Sequence, residues 1–193
     1  PPVLRFQGAW PAADLFHEYA LDYAKRVNEM SGGRVRIEVL SAGAVVKPQE
    51  LLDAVEKGAI DGCHAVPALW SRKDTALSLF GAGPALGMDA NLFLSWMEYG
   101  GGRQLYEEVY ARILYRNVVG FVYGPMPAQA LGWFRKPLAG AAQLGGLRYA
   151  ASGEAAEVAR RPGGSVQELG GEEMGGAAGA GRLGGGASKN PPS

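Results

Sequence analysis

Arg34-Val-Arg-Ile-Glu-Val-Leu40 decides the fold. Charged and apolar side chains alternate along it with the period of two that a strand shows when one face is covered. Immediately before it, Leu15, Phe16, Tyr19, Ala20, Tyr23, Val27 and Met30 recur at three- and four-residue steps, predicting a helix that Pro11 opens and Gly32-Gly33 stop. Upstream again, Val3 to Phe6 is a short β-like run. Downstream, Pro48 to Lys57 reads as a helix with Leu51, Leu52 and Val55 on one face, Pro48 at its entrance and Gly58 at its exit. Ile60 to Val66 follows as a third strand. Strand, helix, strand, helix, strand predicts an α/β layer with parallel neighbours and right-handed crossovers.

The remainder of the chain changes character near residue 150. Asn91–Tyr99 and Arg103–Ile113 read as helices separated by Gly100-Gly101-Gly102, and Asn117–Tyr123 reads as a strand. Extended structure resumes over Ala130–Phe134 and Leu147–Ala151, followed by a helix at Glu154–Arg161 and a strand at Ser165–Leu169. Every aromatic ring of Phe, Trp and Tyr lies at or before Tyr149, and Gly and Ala make up 20 of the 43 residues from 151 onward. Each sizeable apolar side chain buried there returns about 1.5–3 kcal/mol, whereas fixing each backbone costs about 1–2 kcal/mol. The tail therefore builds no core alone; where ordered, it must lean on the residues before it. The expected organisation is a first α/β lobe over 1–122 and part of a second over 123–193.

Composition excludes several classes of function. Among 193 residues, 19 basic groups balance 19 acidic ones, which leaves no electrostatic footprint for a phosphate backbone, so no nucleic acid partner is expected. No apolar run approaches the roughly 20 residues of a membrane span, and Pro1 to Phe6 lacks the layout of a secretory signal. A single Cys63 excludes an internal disulfide and a cysteine-rich zinc site.

In open α/β sheets the ligand crevice lies outside the carboxyl ends of the strands. That directs attention to Trp10, to Cys63–Trp70, to Gly124–Trp133 and to Tyr149–Ser152. Cys63 and His64 suggest a rival function, a Cys/His hydrolase or transferase. Strand neighbours point to opposite faces, however, and no third orienting residue accompanies them. His17 has no second ligand at three or four residues' distance and reads as a surface or core-edge histidine. The glycine triplet follows a helix, lacks the Lys-Ser/Thr of a phosphate loop, and reads as a helix breaker. Trp96 is assigned to packing. Trp10, Trp70 and Trp133, with Gln129 as a polar anchor, would make a small and largely apolar pocket.

Met30-Ser-Gly-Gly-Arg34, Ala42-Gly43, Leu52-Asp-Ala-Val-Glu-Lys-Gly58, Trp70 with Lys73-Asp74, Gly87-Met88, Trp96, Tyr99-Gly-Gly-Gly102 and Gly132-Trp-Phe-Arg-Lys-Pro137 together resemble the solute receptors of tripartite ATP-independent periplasmic (TRAP) transporters. Within that family the chain is similar to the branch for 2-oxo acids and other small carboxylates. The resemblance implies a two-lobed periplasmic binding protein of the type II kind, each lobe an open mixed sheet flanked by helices. It implies capture of a small carboxylate by lobe closure, delivery to membrane permease subunits, and no catalysis or cofactor; in some relatives a metal ion bridges the carboxylate. Ligand contacts carried over are Trp10, His64, Trp70, Gln129, Trp133 and, less directly, Arg148, because Ala150 stands where the family's carboxylate-gripping arginine belongs. The family's chain continues past the equivalent of Ser193, so this sequence reads as incomplete at its C-terminus, and as an exported chain whose signal is absent.

Overall fold

The computed structural model describes residues 2–81, 88–123, 132–151, 156, 159–167, 177 and 182–186. The chain divides into two compact units, residues 1–81 with 94–125, and residues 82–93 with 126–193.

In the first unit, β1 (Val3–Gly8), β2 (Arg36–Leu40) and β3 (Gly62–His64) form a parallel sheet in the order β2-β1-β3. Helix α1 (Leu15–Met30) joins β1 to β2, and α2 (Leu51–Glu56), entered through a 3₁₀ turn at Pro48–Glu50, joins β2 to β3. The first connection moves outward from β1 and the second moves back past it. With right-handed crossovers, that reversal places the two helices on opposite faces of the sheet. The core gathers Leu51, Leu52, Ile60, Trp70, Leu77, Val109 and Tyr110. These come from α2, the approach to β3, the 3₁₀ turn Pro67–Trp70, α3 (Ala76–Leu79) and the π-helical turn Val109–Ile113 that extends α5 (Gly102–Glu108). Between α3 and α5 lies α4 (Ala90–Tyr99). Asp53 and Glu56 of α2 clasp this layer from outside, Asp53 pairing with Lys73 at 2.9 Å and with Arg116 at 3.1 Å, and Glu56 pairing with Arg116.

Helix α1 differs from its sequence reading in two respects. It starts at Leu15, after a turn, because Asp14 caps it by accepting the Phe16 N–H at 2.8 Å. Its buried residues are His17, Ala20 and Ala24, while Leu15, Tyr23 and Met30 of the expected stripe are exposed. Small side chains let the helix lie close to the sheet. His17, expected at the surface or core edge, is thereby enclosed.

Residues 117–123 form no strand. Their backbone makes no hydrogen bond to another described residue, and Val119 and Phe121 are 79% and 77% exposed. Alternating apolar side chains supply the pattern of a strand, but a ladder also needs a neighbour, and none is present among the described residues.

The second unit holds a mixed sheet in the order β4-β7-β5-β6, built from β4 (Trp133–Phe134), β5 (Arg148–Ala150), β6 (Ser165–Gln167) and β7 (Gly185–Gly186). Strand β7 runs antiparallel to β4 and parallel to β5. Phe134 and Tyr149 stack with ring centres 5.7 Å apart and planes 10° from parallel. Tyr149 packs with Ala151, Ala156 and Ala159, and Ala150 packs with Ala177 and Leu183. The Gly/Ala-rich segment does lean on earlier residues, as its composition requires. Of the helix expected over 154–161, Ala156, Ala159 and Arg160 are helical, and residues 152–155 and 157–158 lie outside the described residues. No helix among the described residues is long and apolar enough to cross a membrane.

Candidate functional site

Strand order β2-β1-β3 reverses direction at the boundary between β1 and β3, and a crevice opens outside the carboxyl ends of such a pair. Gly8 ends β1 opposite His64, which ends β3, and the Ala9 N–H donates to the His64 carbonyl at 2.9 Å. One residue later, the Trp10 carbonyl accepts from the Ala42 N–H at 2.9 Å, which ties the loop after β1 to the loop after β2. Below them Gln7 is fully buried. Its side-chain amide donates to the Val46 carbonyl at 2.7 Å, and its carbonyl oxygen accepts from the Val45 and Val46 N–H groups at 2.9 and 3.2 Å. A buried amide satisfied in this way holds the loop after β2 against β1.

The side chains at this strand end form a continuous aromatic array. The Trp10 ring lies 4.8 Å from His64 and 5.2 Å from Phe16. Phe16 meets Tyr19 edge-on at 5.9 Å. Tyr123 meets His64 edge-on at 5.0 Å and Tyr23 at 5.1 Å, and its hydroxyl donates to the Tyr19 carbonyl. Tilted and edge-to-face rings at these separations attract through their quadrupoles. Burial, with the nearby His17 adding to it, pushes the His64 pKa down to about 4, so the imidazole is neutral near pH 7. The Nδ1 atoms of His17 and His64 are enclosed and have no hydrogen-bond partner among the described residues.

Trp70 is only 5% exposed and belongs to the first unit's hydrophobic core, where its indole N–H has no partner among the described residues. Trp133 on β4 and Arg148 at the start of β5 belong to the second unit, both exposed. Ala150, two residues beyond Arg148, is completely buried. Gln129 lies outside the described residues. The structure thus brings together Trp10 and His64. It adds Phe16, Tyr19, Tyr23 and Tyr123, which sequence reasoning read as helix-face and strand residues. The available signal was the position of three aromatic residues at steps of three and four directly after Trp10.

Nothing in the geometry supports the Cys/His rival. Cys63 packs against the core while His64 joins the aromatic array, as strand alternation requires. Burial pushes the Cys63 thiol up to about 11, the opposite of what a nucleophile needs. Among the described residues, no group of three or more His, Cys, Asp or Glu could hold a metal ion.

Comparison with known proteins adds three observations. Residues 6–174 match the family described as bacterial extracellular solute-binding protein, family 7. A monocarboxylate 2-oxoacid-binding periplasmic protein of Nostoc sp. is 33% identical over 170 residues, covering 88% of this chain and 46% of the relative. Two solved TRAP periplasmic solute-binding proteins also superpose. That of Pseudoalteromonas atlantica, with bound sodium and pyruvate, is 28% identical with a TM-score of 0.83 over 96% of this chain and 56% of its own. That of Colwellia psychrerythraea, with bound calcium and pyruvate, is 25% identical with a TM-score of 0.85 over the same shares. This chain therefore spans about half the length of the relatives it matches.

Proposed function

This chain belongs to the bacterial extracellular solute-binding protein family 7, the DctP family of solute receptors, and from that premise we propose that the protein captures a small carboxylate, a 2-oxo or 2-hydroxy acid, in the periplasm. Delivery to the membrane permease subunits of a TRAP transporter and capture by closure of two lobes are parts of the same proposal. The observation that carries it is the pairing of Trp10 with His64, 4.8 Å apart, at the carboxyl ends of β1 and β3. A planar 2-oxo acid presents a conjugated face that an indole can cover and carboxylate oxygens that accept hydrogen bonds. A site with those two properties binds it without doing chemistry on it. Gln129, Trp133 and Arg148 are proposed as further contacts. Trp70, in this reading, supports the site from the core.

Two of the similar proteins hold sodium or calcium beside pyruvate. The described residues offer no side-chain cluster for such an ion.

Titration of the protein with pyruvate and a panel of mono- and dicarboxylates, followed by calorimetry and tryptophan fluorescence, tests the reading. Saturable binding of a small 2-oxo acid is expected, with a fluorescence change that Trp10→Phe removes. His64→Ala should weaken that binding at least tenfold, the loss of about one charge-assisted hydrogen bond. Binding of none of the panel would overturn the assignment.

A further inference from the structure

The aromatic walls do not explain two imidazoles left unsatisfied behind them. His17 is 5% exposed, and its Nδ1 and that of His64 are both enclosed without a hydrogen-bond partner among the described residues. Both atoms belong to one place in the fold. His64 pairs in register with Gly8, and a methyl group built on Gly8 would lie 3.5 Å from His17 Nδ1. Folded proteins seldom leave buried polar atoms unpaired, and an orphaned group points to something else that completes it. The two rings do not complete each other, because neither Nδ1 has a hydrogen-bond partner among the described residues. A single anionic acceptor shared by both would give each ring a partner.

Resting on the carboxylate reading above, we propose that His17 and His64 form a paired imidazole anchor for the ligand's carboxylate, and that capture takes up a proton. A carboxylate entering this enclosed strand end loses much of its hydration, and an adjacent cation offsets that loss. Among the described residues of the first unit, the charged groups on the elements packed here supply no ready-made cation. Asp14, at the cap of α1, has its carboxylate engaged by the Phe16 N–H. Tyr19, Tyr23 and Tyr123 bring phenol rings and no cation. Asp22 and Arg26 pair with each other at 2.7 Å on the exposed side of α1, Glu18 lies on the same exposed side, and Cys63 faces the core across β3. One imidazole of the pair therefore becomes the cation by binding a proton as the anion arrives. Tyr123 meets His64 edge-on, so entry requires displacing that ring and releasing its hydroxyl from the Tyr19 carbonyl.

Pyruvate is the probe. Calorimetry near pH 6 in two buffers of different ionisation enthalpy should report uptake of up to about one proton per pyruvate bound, and Kd should fall by up to about tenfold per unit as pH drops from about 8 to about 5.5. His17→Gln should bind pyruvate several-fold more weakly near pH 6 and lose most of that slope. Should the variant fail to fold, the unmodified chain answers directly. It has two histidines, and nitrogen NMR should show both Nδ1 resonances move on adding pyruvate, at least one toward imidazolium. Pyruvate bound with no proton uptake, a flat Kd and unmoved histidine resonances would overturn the anchor and leave the receptor reading standing. Absence of binding by any small carboxylate would overturn both.

Discussion

In the first unit, Leu51, Ile60, Trp70 and Leu77 fill the space beside a three-stranded parallel sheet with large side chains. In the second, β7 is two glycines, Gly185 and Gly186, and the space a side chain on Gly185 would take is filled by the Phe134 ring, which stacks on Tyr149. One sheet is packed by its own and its helices' side chains, the other by a few rings lying where its strand has no side chains. The difference teaches that the two units fail in opposite ways. The first is sensitive to losing atoms, the second to gaining them.

The largest expected effect follows from the first half of that contrast. Leu51→Ala removes a fully buried side chain from the centre of the first unit's core and should cost about 2–5 kcal/mol, read as a fall in the urea midpoint. A cost below about 1 kcal/mol would mean that this core relaxes freely and that the contrast is not one of packing.

Next comes Gly185→Val in the second unit. A Cβ there would lie 2.3 Å from Phe134 Cδ1 and 3.2 Å from the Trp133 carbonyl oxygen. Ring displacement and overpacking should cost about 1–3 kcal/mol, and amide exchange should quicken along β4 and β5. An unchanged exchange pattern would show that the stacked rings do not depend on a bare β7.

Acidification separates the units without a mutation. His64 in the first unit stays neutral down to about pH 4, whereas an unfolded histidine protonates near 6.5. Between those values the unfolded chain binds a proton that the folded chain refuses, so stability is complete above about pH 6.5 and declines as pH falls toward 4. Asp53, whose pKa is lowered chiefly by its hydrogen bond to Lys73, loses its contribution only below the ordinary carboxylate value of 3.8. Urea midpoints between about pH 7 and pH 5 should fall, and His64→Gln should flatten the decline. A decline unaltered by that variant would remove His64 as its source.

The smallest effect is Gly140→Ala. A methyl there meets nothing within 4 Å, and the backbone at φ −179° is extended. A change within about 0.5 kcal/mol is expected, which makes it the control for Gly185→Val.

Much of the first unit could be read from residue order. Alternation over 34–40 and the helix before Gly32-Gly33 specify a strand and a helix because period alone distinguishes them. The capping of α1 by Asp14 could also have been read there, since Asp is a strong cap two residues before Phe16. The burial of His17 could not, because it depends on how closely Ala20 and Ala24 let the helix approach the sheet. Residues 117–123 misled for a related reason: an apolar alternation states a preference, and a strand exists only when another strand accepts its hydrogen bonds. At the site, Trp10 and His64 were legible as residues at strand ends. Trp70 carried the same signal, but its position relative to the packed helices put it in the core.

The sequence by itself determined the alternation of strands and helices in the first unit and a family resemblance carried by motifs in order, because periodicity and spacing are properties of the chain alone. Tertiary structure alone decided that β1 lies between β2 and β3 and that His17 and His64 are enclosed at one strand end. Those outcomes depend on which elements pack together, and burial acts between residues far apart in the chain.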